Sequence, residues 1–192
     1  MSVITHLDTT ASNLMLTDAQ KISIENSLAA LKTKLKDHFS TDIKEQLQFG
    51  SSTRGTIIQK RAHPKSDIDY MVVFDNSENL KPSAFIARLK RFAELKYTTT
   101  EVFQSHPTVV LNLSNIMFEL VPAYNNWWSG YQIPAPPSNY SDWISTDPLA
   151  FNQKLTDKNN NNYSKIKPLI RILKYWNSCN EYIFDSYELE QK

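Results

Sequence analysis

Cysteine is nearly absent: Cys179 stands alone among 192 residues. A single thiol excludes an intramolecular disulfide, and nothing supplies the ligand spacing of a structural zinc site. Long apolar runs are missing too. None approaches the ~18 consecutive residues of a membrane span. The opening stretch, Met1 to Met15, lacks the charged-then-apolar order of a secretory leader. Together these absences predict a reducing, cytoplasmic setting with no membrane contact. Neither sign of charge dominates, with 21 Lys and Arg against 20 Asp and Glu for a net +1. No global field pulls in a polyanion, so nucleic-acid contact would need a local basic patch and stays open. Glycine is scarce as well, at Gly50, Gly55 and Gly130 only. Two of the three fall in one loop, and glycine is the residue for positive φ or close approach to a ligand.

What remains is ordinary globular material, 41% hydrophobic and 21% charged. Its length suits one domain, or one domain plus a fragment of a second. Ile22, Ile24, Leu28, Leu31, Leu35 and Phe39 recur near helical spacing and predict a helix over ~17–39, capped by Thr17 or Asp18. Leu47–Phe49 predicts a strand entering the loop Gly50-Ser51-Ser52-Thr53-Arg54-Gly55-Thr56. Tyr70–Phe74 is an apolar run of central-strand length. Pro82–Tyr97 predicts a helix; Val102–Phe103, Thr108–Leu113 and Ile116–Pro122 predict strands. Residues 125–163, rich in Asn, Ser, Pro and Trp, predict a long irregular crossing with at most short helical turns. Within it Asn159–Asn162 reads as an exposed loop, and Trp127, Trp128 and Trp143 read as packing residues. A helix over ~164–178 follows, and another begins near Asp185-Ser186-Tyr187. Lys60, Arg61, His63 and Lys65 form the best local basic patch, either a phosphate contact or a solvated loop.

Three carboxylates sit where a carboxylate is costly. Asp67 and Asp69 bracket Ile68 at the entry to the apolar strand, and residues two apart on a strand face one side. Glu119 lies inside another apolar run, Met117–Val121. Like charges held together in apolar surroundings are unfavourable unless a cation joins them. Mg²⁺ takes oxygen ligands beside phosphates, and two such ions serve in-line displacement at phosphorus. An isolated Asp-x-Asp is also common at strand ends and turns. The glycine loop shifts the balance, because backbone N–H groups and serine hydroxyls there can receive a phosphate oxygen. It is not a Walker loop, since Thr56 follows Gly55 where a lysine belongs.

Phe49–Thr56, then Ser66-Asp67-Ile68-Asp69, then Phe118–Ala123 resemble the nucleotidyltransferase superfamily of DNA polymerase beta. Fifteen residues separate Ser51 from Asp67. Within that superfamily the chain is most similar to the cGAS/DncV-like enzymes (CD-NTases). The later segments Arg171–Trp176 and Asp185–Glu190 are similar to that family's later helices. The resemblance implies an α+β fold: a polymerase-beta-like core with a mixed sheet and flanking helices over 1–163. Residues 164–192 would begin a C-terminal helical region, apparently truncated. It implies that Gly50, Ser51 and Ser52 hold a donor triphosphate, with Lys174 and Ser186 touching it and Tyr187 stacking on the base. Asp67, Asp69 and Glu119 would be catalytic and bind two Mg²⁺, or Mn²⁺ in their place. Family members more often carry Asp where Glu119 stands. On their own, Lys174 would suit a solvated helix face and Tyr187 a core position.

The function implied is an enzyme that joins NTPs into cyclic or linear oligonucleotide second messengers, releasing pyrophosphate, in bacterial anti-phage signalling. One alternative is tRNA 3′-end addition, against which the near-neutral charge argues. Another is a catalytically incomplete nucleotide-binding module. The family's usual C-terminal half closes the nucleotide cleft. Its lack predicts a protein partner or self-association through an apolar face near Leu173, Trp176 and Leu189.

Overall fold

The computed structural model describes residues 2–105, 107–136 and 141–191. Two helices lead, α1 (Val3–Asn13) and α2 (Asp18–Phe39), the second closed at its start by a Thr17–Gln20 capping box. Then come β1 (Ile43–Phe49), the one-turn helix α3 (Ser51–Arg54), β2 (Asp67–Phe74) and α4 (Pro82–Lys96). Strands β3 (Glu101–Ser105), β4 (Thr108–Asn112), β5 (Met117–Asn126), β6 (Gly130–Pro134) and β7 (Trp143–Thr146) follow, then α5 (Pro148–Asn161), α6 (Ile166–Cys179) and α7 (Glu188–Gln191). The strands form one sheet in the order β1-β2-β5-β4-β3, with β6 on the far half of β5 and β7 on β6. Only β2 and β5 run parallel. This is the expected α+β fold with a mixed sheet.

The period of two along the central strands decides what faces what. Ile68, Tyr70, Val72 and Phe74 of β2 join Phe118 and Leu120 of β5 in the main core. There they pack against Leu31 and Leu35 of α2 and Phe85, Leu89 and Phe92 of α4. Met71, Val73 and Ala123 take the opposite face with Leu47, Phe49, Tyr131 and Ile133. Asp67, Asp69 and Glu119 share that second face. The second half of β2 is covered on both faces: Tyr70 to Phe74 are at most 2% exposed.

Residues 125–163 depart from the irregular crossing their composition predicts. Gly130, at φ +73°, turns β5 back as the β5–β6 hairpin. Pro148 opens a 14-residue helix, and the Asp147 side chain caps it by accepting from the Ala150 N–H. Pro at the first helical position and Asp before it favour a helix start, a local signal outweighed by the Asn-rich composition. Asn159 is buried within α5, not on an exposed loop, and its Oδ1 accepts the Lys167 N–H at 3.0 Å. Residues 137–140 of this stretch lie outside the described ones. Trp143 packs edge-on against Tyr124 at 4.9 Å, as expected. Trp127 and Trp128 do not pack: they stand at the hairpin tip, 99% and 97% exposed. The first helix, for which the sequence pattern makes no provision, lies against α6. Arg171 donates to Ala11 O at 3.1 Å and Gly55 O at 2.9 Å, so α6 is tied to both α1 and the glycine loop.

Candidate functional site

Asp69 lies directly opposite Glu119 on the parallel β2–β5 pair, and Asp67 opposite Met117. The three carboxylates therefore gather at the entry end of the two central strands. Burial pushes the Asp67 carboxyl up to about 8, with the charges of Asp69 and Glu119 adding to it. Burial also raises Asp69, to about 6, against the pull of Arg54 and Lys174. Glu119 is raised by burial and by Asp69, while hydrogen bonds with Thr108 and Asp67 oppose the rise. Among the described residues none of the three forms a salt bridge. Nor do any three acidic, histidine or cysteine side chains there converge as a ready-made metal cage. An all-oxygen donor set of this kind suits a hard divalent ion rather than a soft one.

Glycine at position 50 is dictated by Asp69. Gly50 takes φ +74°, and a β-carbon there would lie 1.6 Å from Asp69 Oδ2 and 2.9 Å from its Cβ. The chain then enters α3, whose first N–H groups have no intrahelical acceptors. Gly55, left-handed at φ +74°, ends the turn after Arg54. Ser51 borders both cavities described below, together with Asp67 and Glu119. Ser52 turns away, its hydroxyl accepting from Gln48 Nε2 at 3.0 Å and donating to Phe49 O at 3.1 Å.

The late residues close over this loop. Lys174 is buried rather than solvated, and its ammonium pairs with Glu190. Glu190 also accepts from Arg54 Nε at 2.6 Å and Thr56 Oγ1 at 2.7 Å. Asn177, fully buried in α6, grips the next loop on both sides of one residue: Phe184 N–H donates to its Oδ1 at 3.0 Å and its Nδ2 donates to Phe184 O at 2.8 Å. That grip sets the approach to Ser186 and Tyr187. The Ser186 hydroxyl lies 3.5 Å from His63 Nε2. His63 belongs to the interior rather than to a solvated basic loop; burial, then Lys174 and Lys65, pushes its pKa down to about 4. Tyr187 is half exposed, 5.3 Å from the Phe151 ring, over which the Arg54 guanidinium also lies at 4.9 Å.

Two cavities, of about 700 and 600 Å³, meet at Ser51, Asp67, Glu119, Lys174, Asp185 and Ser186. The larger extends past His63, Phe103 and Tyr182; the smaller past Gly50, Asp69, Phe151 and Tyr187. Of the nine residues that the sequence singles out, eight border one or both, and Ser52 borders neither. Arg54, Thr56, Phe151 and Glu190 were not among them. Only the tertiary fold brings Glu190 to Arg54, across 136 positions.

The chain is similar to known proteins in both sequence and fold. Residues 1–159 match the family model described as Second Messenger Oligonucleotide or Dinucleotide Synthetase domain. A probable cyclic nucleotide synthase of Bacillus cereus is 26% identical over 77% of this chain and 54% of its own length. The cyclic AMP-AMP-AMP synthase of an Acinetobacter strain is 24% identical over 88% of this chain and 46% of its own. The chain thus spans about half the length of these curated relatives. Among solved structures, Vibrio cholerae DncV in its 3′-deoxy ATP bound form shares the fold at TM-score 0.75 and 11% identity, covering 93% of this chain and 66% of that one. With that family model matched over residues 1–159, the chain belongs to the Second Messenger Oligonucleotide or Dinucleotide Synthetase family.

Proposed function

We propose that the chain carries the nucleotide-binding and catalytic part of a metal-dependent nucleotidyltransferase. It joins NTPs into cyclic or linear oligonucleotide second messengers, releases pyrophosphate, and works in the bacterial cytoplasm in anti-phage signalling. The observation that carries this reading is the meeting of two cavities at the half-buried carboxylates Asp67 and Glu119, with Asp69 bordering the smaller one. Two substrates can thereby present a hydroxyl and a phosphoryl group to the same place. Residues 1–163 form the catalytic core and 164–192 the first part of a helical region seated on it by Arg171.

Each group then has a task. The turn at Gly50 and Ser51 offers backbone N–H groups to a triphosphate, and Lys174 and Ser186 reach it from the other side. Ser52 takes part through its backbone, since its hydroxyl is engaged elsewhere. Tyr187, backed by Phe151, is a platform for the base. Asp67, Asp69 and Glu119 would hold Mg²⁺ or Mn²⁺. When bound, two such ions neutralise charge on the transferred phosphoryl group and lower the pKa of the attacking hydroxyl. The raised carboxyls must release their protons to serve as ligands, so metal uptake and deprotonation proceed together.

Incubation with labelled NTPs and Mg²⁺ or Mn²⁺, read by thin-layer chromatography, tests this. The expected result is an oligonucleotide product that disappears in the Asp67→Asn, Asp69→Asn double variant, with the fold retained. Wild-type turnover by the double variant would overturn the catalytic assignment. Nucleotide binding without any product would mark the 192 residues as an incomplete module that acts with a further segment or partner.

A further inference from the structure

Among the described residues Glu190 is the carboxylate with partners on three other segments, and none of the roles above uses it. Its side chain is 1% exposed. It accepts from Arg54 Nε at 2.6 Å and from Thr56 Oγ1 at 2.7 Å, and it pairs with the Lys174 ammonium. These partners come from three places: the end of α3, the residue after Gly55, and the middle of α6. Glu190 itself sits on α7, one turn beyond Tyr187. One carboxylate therefore ties together the elements that bear Gly50, Lys174 and Tyr187.

Its place is electrostatically odd. Glu190 borders the smaller cavity with Gly50 and Lys174, where a triphosphate would lie, and its charge adds to the raised pKa of Asp69. A buried anion beside a phosphate site repels the ligand by Coulomb's law. Geometry offers a compensating gain. Unpaired, Arg54 and Lys174 would repel each other, and the long lysine side chain would lose its single orientation. Paired, the ammonium keeps two of its three donors for another acceptor. The same carboxylate fixes Arg54 beneath Phe151, and Phe151 lies against Tyr187. We propose that Glu190 is the positioning residue of the phosphate chamber, orienting Lys174 for the triphosphate and, through Arg54 and Phe151, Tyr187 for the base. This rests on the nucleotidyltransferase reading.

The two effects of Glu190 have opposite signs, so binding separates them. A non-hydrolysable ATP analogue with Mg²⁺ is titrated calorimetrically into the full chain and into Glu190→Gln, Lys174→Ala and the double variant. Positioning predicts that E190Q weakens binding about tenfold or more, the loss of one charge-assisted hydrogen bond. It also predicts that K174A then costs little further in the E190Q background, and that Glu190→Asp recovers part of the loss. A counter-charge alone predicts tighter binding in E190Q. A merely structural brace predicts a lower melting temperature with the two binding losses multiplying. Either of the last two results would overturn the proposal. If E190Q does not fold, E190D carries the same comparison with K174A. Failure of the unsubstituted chain to bind the analogue would overturn the functional reading and the proposal together, whereas binding that E190Q leaves unchanged would overturn the proposal alone.

Discussion

The hydrogen on Gly50 and the carboxylate of Asp69 occupy adjoining space, which makes glycine here a requirement of the site as much as of the turn. Gly50→Ala would both strain a left-handed φ and drive the Asp69 side chain from its position. We expect a loss of ~1–3 kcal/mol in stability, typical of a forced backbone strain, together with weaker Mg²⁺ binding. Urea melts with and without metal check both, and unchanged metal affinity would show that Asp69 simply rotates aside. Asp67 supports a pH prediction. Its carboxyl is raised from 3.8 to about 8 on folding, so the folded chain holds the extra proton. That contribution to stability is complete below 3.8 and disappears as pH rises towards about 8. In metal-free buffer Asp67→Asn should therefore melt increasingly above the parent as pH climbs through this window. Mg²⁺ should restore the parent at the upper end and leave the variant unmoved; parallel melting curves would remove the premise of a repulsive carboxylate face. The acidic residues were legible in the sequence because period two and apolar flanks place carboxylates locally. Glu190 was not, because its partners are set only by how α7 folds back on α3.

Elements were legible where a periodic apolar pattern was strong, as in α2 and β2, and obscured where polar residues outnumber it. The stretch over 125–163 is the instructive case: its helix α5 carries only Pro148, Leu155 and Asn159 as buried residues, too few to register as a stripe. Its start was nevertheless written in Asp147-Pro148. In the loop after α6 a polar residue fixes the backbone at Phe184. Asn177 satisfies both backbone groups of Phe184. Asn177→Leu leaves that N–H and C=O unpaired, and we expect a cost of about 1–3 kcal/mol. Ser186 and Tyr187 lie just beyond, so nucleotide binding should weaken with it. Hydrogen exchange at Phe184 would report the opening directly; protection equal to the parent's would show that another contact holds the loop.

At the scale of the whole molecule, the sheet packs its apolar side chains on both faces while the late helices leave several of theirs exposed. The apolar face anticipated near Leu173, Trp176 and Leu189 is present but displaced: Leu173 and Leu189 are half-buried. The exposure falls on Leu169 at 50%, Trp176 at 46%, Ile183 at 64% and Phe184 at 43%. The rings of Trp176 and Phe184 lie 6.4 Å apart, so part of this surface is continuous across α6 and its following loop. Net charge of +1 gives two copies little reason to stay apart. We therefore expect the 192-residue chain to associate through this face, its scattering mass rising with concentration. Trp176→Ser with Ile183→Ser should return it to a monomer without loss of secondary structure, because neither side chain belongs to the buried core. Salt sharpens the test. Association driven by apolar surface persists at high ionic strength, whereas pairing through charged patches weakens once the screening length falls to ~3 Å in molar salt. A monodisperse monomer at every concentration would show that these side chains, exposed as they are, do not suffice to bind a second copy.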